Sequence, residues 1–379
     1  MLLSYFIWNG NPEIVSIGSL SLRWYGLLFA LGFLVSQQIL YYMFRKEGKP
    51  EKDVDTLTIY MVIATVLGAR LGHVIFYQPE MLWQEPWSVF LPFEFTPQFK
   101  FTGLQGLASH GAAFGILFAL WLYARKKKPG QSYFQILDRI VILVALTGCL
   151  IRLGNFFNSE IIGKPTDSAV GVVFVNRVEE ILTRGENNPV EYLKISRNEE
   201  MPDGANGRKP INIYVFFKPG TTNETAEIYL QQEAKYYLTR LTEFIDEAPA
   251  SALQYQMIQE QGGTLAARIS TFGIARHAAQ LYESISSLLL FAFLFWLWTR
   301  KKADTQVGLI FGWFMVILWS LRFAYEFLKE NQVAFEDEMT LNMGQILSIP
   351  LVIAGIIILY FSYKRQNKLN AAAESESMK

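Results

Sequence analysis

The stretch "FQILDRIVILVALTGCLIRLGNFFNSEIIG", residues 134–163, decides the fold class. Most of it is apolar, and similar apolar runs recur along the chain at about the twenty residues that an α-helix needs to cross a hydrocarbon core. Towards its end it carries Arg152, Asn155, Asn158 and Glu160. A helix that faces lipid avoids such side chains because they are costly in hydrocarbon. The stretch therefore predicts a membrane-spanning helix that ends in a functional site.

These four polar side chains do not share one helical face. At about 100° per residue, Arg152, Asn155 and Asn158 drift round one side of a helix, and Glu160 falls on the other. Two interpretations remain open. Either the helix breaks near Gly154, or the segment is surrounded by protein and water, where irregular backbone is tolerated at membrane depth.

Composition places the chain among polytopic α-helical membrane proteins. Of its 379 residues, 51% are hydrophobic and 18% are charged. The basic residues cluster between apolar runs rather than over a surface, so we expect no nucleic acid partner. Cys149 is the single cysteine, which excludes an intramolecular disulfide and a multi-cysteine metal site. With only three histidines as well, we expect no metal. The N-terminal residues lack a signal-peptide pattern, so we expect no cleavage.

Seven apolar runs predict seven transmembrane helices, at about 19–43, 54–77, 104–124, 134–157, 279–299, 306–328 and 341–363. Lysine and arginine are abundant after the first, third, fifth and seventh runs and scarce in the short connections on the opposite side. Cytoplasmic loops carry the excess of basic residues. The N-terminus is therefore predicted outside and the C-terminus in the cytoplasm.

The expected fold class is an all-α polytopic membrane protein with a small α+β extracytoplasmic insert. Residues 1–163 are predicted to hold the first four transmembrane helices, with an outer arm at 78–103 whose aromatic residues suit a membrane interface. Residues 164–275 form the insert or head domain. Residues 276–365 hold the last three helices, and 366–379 form a disordered cytoplasmic tail.

Two kinds of element are predicted inside the insert. The β-branched and aromatic runs "VGVVFV" at 170–175 and "INIYVFF" at 211–217 are typical of strands. Residues 223–247 follow an amphipathic helical pattern. The N-terminal cap of this helix is predicted at one of three neighbours, Thr221, Thr222 or Asn223. An accessory domain without chemistry of its own is one interpretation of this insert.

With this orientation, the polar clusters of the spans all fall in the outer half of the membrane. The residues concerned are Arg23, Tyr25, Arg70, His73, His110, Arg152, Asn155, Asn158, Glu160, Arg276, Gln280, Glu283, Arg322 and Glu326. Unrelated ion pairs would scatter across depth, so the convergence indicates one shared cavity, although each pair alone also fits a structural ion pair. Arg322 and Glu326 are i,i+4 neighbours. Arg276, Gln280 and Glu283 are spaced for a single helical stripe.

A charge count indicates the ligand of such a cavity. Its arginines outnumber its glutamates by one: Arg70, Arg152, Arg276 and Arg322 against Glu160, Glu283 and Glu326. Arginine is suited to bidentate phosphate binding. One spare positive charge in the outer leaflet matches the single negative charge of a phospholipid phosphodiester.

Six motifs along the chain resemble those of the prolipoprotein diacylglyceryl transferase family. They are "LRWYG" at 22–26, "GARLGHVIFY" at 68–77, "GLASHGAAFG" at 106–115, "IRLGNFFNSEIIG" at 151–163, "RHAAQLYESI" at 276–285 and "LRFAYEF" at 321–327. The resemblance covers all seven predicted spans and leaves out much of 164–275.

The resemblance implies a multi-pass enzyme of the bacterial cytoplasmic (inner) membrane, with its active site facing the outer leaflet. It implies transfer of an sn-1,2-diacylglyceryl group from phosphatidylglycerol to the lipobox cysteine in the signal peptide of a preprolipoprotein. The products are a thioether and glycerol-1-phosphate. No cofactor is implied. The expected partners are these two substrates and membrane lipids, and we expect a monomer.

The resemblance also implies catalytic roles. Arg152 and Arg322 would bind the phosphate that leaves, and fixed cations beside its growing charge would give the main catalytic effect. Glu326 would orient Arg322 or bind glycerol hydroxyls. His110 is the candidate base for the substrate thiol, with a packing or hydrogen-bonding role as the alternative. The candidate substrate-binding residues are Tyr25, Arg70, Asn155, Asn158, Glu160, Arg276, Gln280 and Glu283.

Two other functions fit a polytopic membrane protein with a basic cavity. A transporter or receptor for an anionic solute would place polar groups near the midplane, often within internal repeats. We find no such repeat, and the polar groups lie to one side of the membrane. An intramembrane protease would need a serine–histidine or paired-aspartate pattern, and none stands out.

Overall fold

The structure is a computed structural model that describes residues 5–17, 20–84, 86–90, 93–94, 100–101, 108–185, 187–259, 264–330 and 339–377. Its helices are α1 (Trp24–Lys46), α2 (Lys52–Tyr77), α3 (Met81–Gln84), α4 (Pro86–Phe90), α5 (Ser109–Ala124), α6 (Tyr133–Phe157), α7 (Asn176–Leu182), α8 (Asn223–Ile228), α9 (Lys235–Leu238), α10 (Ala279–Lys301), α11 (Leu309–Tyr325) and α12 (Met343–Ser377). A π-helical turn, Tyr229–Ala234, joins α8 to α9, and 3₁₀ turns follow α10 and α11 at Lys302–Asp304 and Glu326–Leu328.

Most of the strands are short. They are β1 (Phe6–Trp8), β2 (Glu13–Ile17), β3 (Leu20–Arg23), β4 (Phe93–Glu94), β5 (Lys100–Phe101), β6 (Val172–Phe174), β7 (Val190–Arg197), β8 (Arg208–Phe217), β9 (Ile245–Asp246), β10 (Tyr255–Gln259) and β11 (Leu265–Arg276).

Six helices among the described residues are long and apolar enough to cross a membrane: α1, α2, α6, α10, α11 and α12. The predicted third span, 104–124, corresponds to α5, which is apolar but shorter. Residues 104–107 lie outside the described residues. The arm predicted at 78–103 is described only in part, as α3, α4 and the β4–β5 pair.

Helix α12 continues into the segment 366–379, for which composition predicted disorder. It ends only at Ser377. Alanine, glutamate and lysine have high helix propensity, and a segment that extends an existing helix does not have to form a new nucleus. The described part of the tail is therefore helical.

The chain divides into two compact units. The first holds residues 1–31, 148–286 and 321–346, and the second holds 32–147, 287–320 and 347–379. In the first unit, strands pair in the order β1-β6-β11-β8-β7, and β9 and β10 also pair with β11. The predicted α+β insert accounts for most of this sheet, but the sheet also extends beyond the insert. Strand β1 comes from the N-terminal segment, and β11 runs beyond the predicted insert to Arg276.

The elements predicted inside the insert are confirmed, with shifted ends. The strands at 170–175 and 211–217 correspond to β6 and β8. The helix predicted from residue 223 begins at α8, where the side chain of Thr222 accepts a hydrogen bond from the backbone N–H of Thr225 at 3.2 Å. Its helical course stops at Leu238 because the chain then turns back towards β9, which pairs with β11.

Three separate segments of the first unit are joined by backbone hydrogen bonds. The N–H of Gly163 donates to the carbonyl of His277 at 2.9 Å, and the N–H of His277 donates to the carbonyl of Lys164 at 3.0 Å. The N–H of Lys164 donates to the carbonyl of Leu328 at 2.7 Å. The segments that follow α6, β11 and α11 are therefore held side by side, each next to predicted site residues.

In the second unit, α2 and α5 pack closely through glycines. A β-carbon at Gly111 would clash with the carbonyl oxygen of Gly68 and lie 2.7 Å from the Cα of Gly72. One at Gly115 would lie 2.6 Å from the carbonyl oxygen of Ala64. Small residues allow such close backbone approach between membrane helices. This close packing explains why a glycine, Gly111, follows His110 in the motif at 106–115.

Replacing Gly111 with valine should lower the free energy of unfolding by about 3 kcal/mol or more, because the branched side chain has no space between the two backbones. The measurement is thermal unfolding of purified protein in detergent. Gly26→Val is the matched control, since a β-carbon at Gly26 meets nothing within 4 Å. Equal melting temperatures for the two variants would contradict the close contact.

The charged pair Asp138–Arg139, within the apolar stretch that defines α6, is accounted for inside the second unit. Asp138 accepts hydrogen bonds from the backbone N–H groups of Gly308 and Phe311 at 2.7 and 2.8 Å, which caps the start of α11. The Nε of Arg139 lies 3.0 Å from Oε1 of Glu47. Burial would raise the pKa of Glu47, but the charge of Arg139 and neighbouring hydrogen bonds hold it below its ordinary value.

Candidate active site

Arg152, near the end of α6, forms an ion pair with α10. Its Nε lies 2.5 Å from Oε2 of Glu283, and its Nη1 lies 3.4 Å from Oδ1 of Asn155. The arginine side chain is 23% exposed, so the pair is partly shielded from water while part of the guanidinium remains accessible. A charge in this setting is held in place by its partners and can still meet a ligand.

The pair extends into a chain of five alternating charges. Lys329 contacts Glu283 through its Nζ, which also lies 3.9 Å from Oε1 of Glu326. Glu326 in turn lies 3.6 Å from Nη2 of Arg322. We call Arg152, Glu283, Lys329, Glu326 and Arg322 the charge chain. Its three cations and two carboxylates leave one positive charge in excess.

Glu160 is joined to the charge chain through amide side chains. Its carboxylate oxygens accept hydrogen bonds from Nδ2 of Asn155 and Nδ2 of Asn158, both at 3.3 Å. Its backbone carbonyl accepts a hydrogen bond from Nε2 of Gln280 at 2.5 Å. Hydrogen bonds therefore connect the four polar residues near the end of the stretch 134–163, which are Arg152, Asn155, Asn158 and Glu160.

The backbone around Glu160 resolves the two interpretations of this stretch. Helix α6 does not break at Gly154 but continues to Phe157. The chain then turns sharply, with φ of 51° at Ser159 and 56° at Ile161. The left-handed region is unfavourable for a branched residue such as isoleucine. Such strain is typical of segments that position functional groups.

Two buried carbonyl oxygens beside Glu160 lack partners within the described part of the chain. They are Oδ1 of Asn158 and Oε1 of Gln280. Buried polar atoms are nearly always hydrogen-bonded in the working state of a protein, so both can accept a hydrogen bond from a hydroxyl or N–H group of a ligand. Tyr25 lies nearby, because a β-carbon on Gly154 would lie 3.0 Å from its Cα.

Arg276 has a different place from the one predicted. It is the last residue of β11 rather than part of a helix, so the predicted stripe with Gln280 and Glu283 is wrong. Pairing with other strands fixes its backbone, which overrides the local helical spacing. Arg276 is 3% exposed. It donates to the carbonyls of Glu243 and Gly163 at 2.6 and 3.1 Å, and to Oε1 of Glu330 at 2.7 Å. Arg276 therefore holds these three segments of the chain together.

Arg70 and His110 belong to the second unit. Arg70 is buried and donates from Nη2 and Nε to the backbone carbonyls of Ser88 and Val89 at 2.8 and 3.1 Å. It therefore fastens α4 to α2. His110 is exposed in the first turn of α5, next to the glycine that contacts α2. Arg70 is not one of the five residues that define the charge chain.

Two residues of this region were missed in the sequence. Lys329 is not among the site residues predicted from the sequence, although it follows Glu326 by three positions and Arg322 by seven, a helical spacing that could have revealed it. The Nδ1 of His277 lies 3.4 Å from the hydroxyl of Tyr282. Burial lowers the pKa of His277, which keeps its ring neutral at pH 7.

Comparisons with known proteins identify the family of this chain. The model of the prolipoprotein diacylglyceryl transferase family matches residues 12–361. The phosphatidylglycerol–prolipoprotein diacylglyceryl transferase of Bacteroides fragilis is 32% identical over 368 residues, which is 97% of this chain and 98% of that protein. Proteins of the same name from Tolumonas auensis and Chloroherpeton thalassium are each 31% identical, over 95% and 96% of this chain and 98% and 96% of their own lengths. The chain therefore belongs to the prolipoprotein diacylglyceryl transferase family and is a transferase.

Proposed function

We propose that this enzyme transfers an sn-1,2-diacylglyceryl group from phosphatidylglycerol to the lipobox cysteine of a preprolipoprotein, the first step of bacterial lipoprotein maturation. The charge chain is the observation that carries the proposal. It supplies fixed cations with one positive charge in excess, which matches the single negative charge of the lipid phosphodiester. The names of the relatives supply the two substrate classes.

In the proposed reaction, the thiol sulfur attacks the glyceryl carbon that carries the phosphate. A C–S bond forms, the C–O bond to phosphate breaks, and glycerol-1-phosphate leaves. Negative charge grows on the phosphate oxygens as that bond breaks, and preorganised cations stabilise it. We assign this role to Arg152 and Arg322. Glu283 and Glu326 hold the two guanidinium groups in place.

The thiol must lose its proton before or during the attack, because the thiolate is the nucleophile. We keep His110 as the proposed base on the resemblance of its motif. It lies in the first turn of α5, where its side chain is exposed.

The glycerol head group of the lipid offers hydroxyls that need partners. The carbonyl oxygens of Asn158 and Gln280, which lack partners among the described residues, can accept hydrogen bonds from them, and Glu160 and Tyr25 complete this polar side of the site. Asn155 would hold Arg152 and Glu160 together. Arg70 and Arg276 were proposed from the sequence as binding residues. They would act indirectly, by holding in place the backbone segments to which they donate hydrogen bonds.

The proposed topology has seven spans, with α5 as the third, the N-terminus outside and the C-terminus in the cytoplasm. It is supported by the distribution of lysine and arginine between the apolar helices. It places residues 164–275 and the charge chain towards the outer leaflet of the bacterial inner membrane, where a secreted polypeptide and phosphatidylglycerol are both accessible.

The purified enzyme, given phosphatidylglycerol vesicles and a lipobox peptide, should release glycerol phosphate in step with lipidation of the peptide. A peptide in which serine replaces the cysteine is the matched control, since it keeps the shape but lacks the thiol, and it should give no release. Release that does not depend on the thiol would contradict the proposal. Flux of an anionic solute through proteoliposomes without lipid transfer would favour the transporter.

A further inference from the structure

A cavity of about 370 Å³ lies in the first unit, beside Glu160. Its lining includes Ser159, Glu160, Ile161, Arg177, Ile181 and Glu243. Part of its wall is the turn that follows α6, and part comes from residues of the insert at α7 and after α9. The volume falls within the range of about 300–1,000 Å³ that is usual for small-ligand sites.

The turn in the cavity wall is strained and firmly held. Ile161 has φ of 56° and is 39% exposed, although it is a branched apolar residue. The hydroxyl of Ser159 donates to Oδ1 of Asn176 at 2.6 Å, which ties the turn to α7. A strained apolar residue that is held open towards a cavity is typical of a ligand contact.

Hydrogen bonds connect the wall of the cavity to the proposed active site. Arg276 donates to the backbone carbonyls of Glu243 and Gly163, which joins the insert wall to the turn. Gln280 donates to the backbone carbonyl of Glu160, and the carboxylate of Glu160 accepts from Asn155 of the site. Glu160 therefore lies in the wall of the cavity and in the polar network around Arg152.

The charges of the cavity oppose an anionic occupant. Two carboxylates, Glu160 and Glu243, line it against the single guanidinium of Arg177. Arg177 is already engaged, with Nη1 2.8 Å from Oε2 of Glu180 and Nη2 3.9 Å from Oε1 of Glu160. The charged phosphate of a phospholipid would be repelled from this cavity, whereas the neutral glycerol hydroxyls proposed above to contact Glu160 would not. A polypeptide offers neutral apolar side chains for the walls and N–H donors for the carboxylates.

We propose that this cavity binds a short apolar segment of the polypeptide acceptor next to its cysteine, and that the insert, residues 164–275, takes part in acceptor recognition. The inference rests on the proposed function, which supplies a polypeptide as second substrate. The cavity accommodates a few small residues, whereas the paired acyl chains of the lipid need more space. The acceptor would enter between α7 and the chain that follows α9, and its cysteine would lie on the Glu160 side.

Ile181→Trp tests the cavity by filling it, because Ile181 lines it from α7. The KM for a lipobox peptide should rise about tenfold or more, and the KM for phosphatidylglycerol should change less than about twofold. Ile228→Trp is the matched control, since Ile228 lies in α8 of the same domain, is exposed and is not part of the cavity. It should leave both values unchanged. An unchanged peptide KM in a folded Ile181→Trp enzyme, or a rise in the lipid KM alone, would overturn the inference.

Glu243→Lys gives a second test that does not depend on core packing. Peptides with lysine or aspartate beside the cysteine are compared. The wild-type enzyme should prefer the lysine peptide, and the variant should prefer the aspartate peptide, because the charge of the cavity is reversed. An unchanged preference would overturn the inference. A wild-type enzyme that transfers no lipid to any peptide would instead refute the proposed function.

Discussion

Replacing Arg152 with alanine is expected to lower kcat by about a thousandfold, close to the limit of detection. The guanidinium of Arg152 is the cation of the charge chain that lies within residues 134–163. Glu283 and Asn155 hold it in place before substrate arrives. Removing one preorganised group that stabilises developing charge costs about 10²–10³ in kcat. Here the effect should lie at the upper end because Arg152 would contact the leaving phosphate.

The fold should survive this substitution. Arg152 is partly exposed, and its partner Glu283 keeps the contact with Lys329, so the carboxylate is not left alone. The free energy of unfolding should fall by about 1–3 kcal/mol, as for an average destabilising substitution. A melting temperature measured in detergent would separate this modest loss from the loss of turnover.

Two further variants complete the experiment. Arg152→Lys keeps the charge but loses the planar fork of the guanidinium, so it should recover only part of the activity. Arg45→Ala is the control for loss of an arginine ion pair, because Arg45 pairs with Glu51 at 3.1 Å on an exposed surface. It should keep wild-type activity. Near wild-type turnover of Arg152→Ala would exclude Arg152 from phosphate binding.

Local sequence patterns were sufficient for much of the fold. Apolar runs of membrane length predicted the long helices, and β-branched runs predicted β6 and β8. The cap predicted among three neighbours is Thr222. These features depend on residues close together in the chain, so periodicity and side-chain chemistry reveal them. The cluster of Arg152, Asn155 and Glu160 was predicted for the same reason.

Features that depend on distant pairing were missed. Strand β11 reaches Arg276 because it pairs with β8 and β6, and local spacing could not show that Arg276 precedes the helix. Tertiary pairing commonly overrides local preference in strands. The joining of β1 to β6 was missed for the same reason.

The position of Lys329 depends on contacts with residues that are distant in the chain. It is 6% exposed, and its backbone pairs with that of Gly163, which follows the turn at Glu160. This pairing brings its amine between Glu283 and Glu326. Nothing close to Lys329 in the chain, apart from its helical spacing to Glu326, indicates a role in the site.

Lys329→Met should lower kcat by about a hundredfold and the free energy of unfolding by about 3–5 kcal/mol, because breaking a buried ion pair leaves charge uncompensated. Methionine keeps a similar length without the charge. Glu283 and Glu326 would then face each other without the cation between them. Each of these two carboxylates would then pair with Arg152 or Arg322, and the excess positive charge proposed to bind phosphate would be lost. Turnover and thermal unfolding, measured on the same preparation, test both effects.

Lys329→Arg distinguishes a charge effect from a packing effect, since it restores the cation in a larger side chain. If the charge chain positions the two arginines, Lys329→Arg should recover most of kcat even where its stability stays below that of the wild-type enzyme. Lys164→Met is the control, because Lys164 is exposed on the adjoining backbone segment, and it should change neither property. Wild-type kcat for Lys329→Met would show that two cations are enough. The excess charge on which the proposed phosphate site depends would then have no catalytic role.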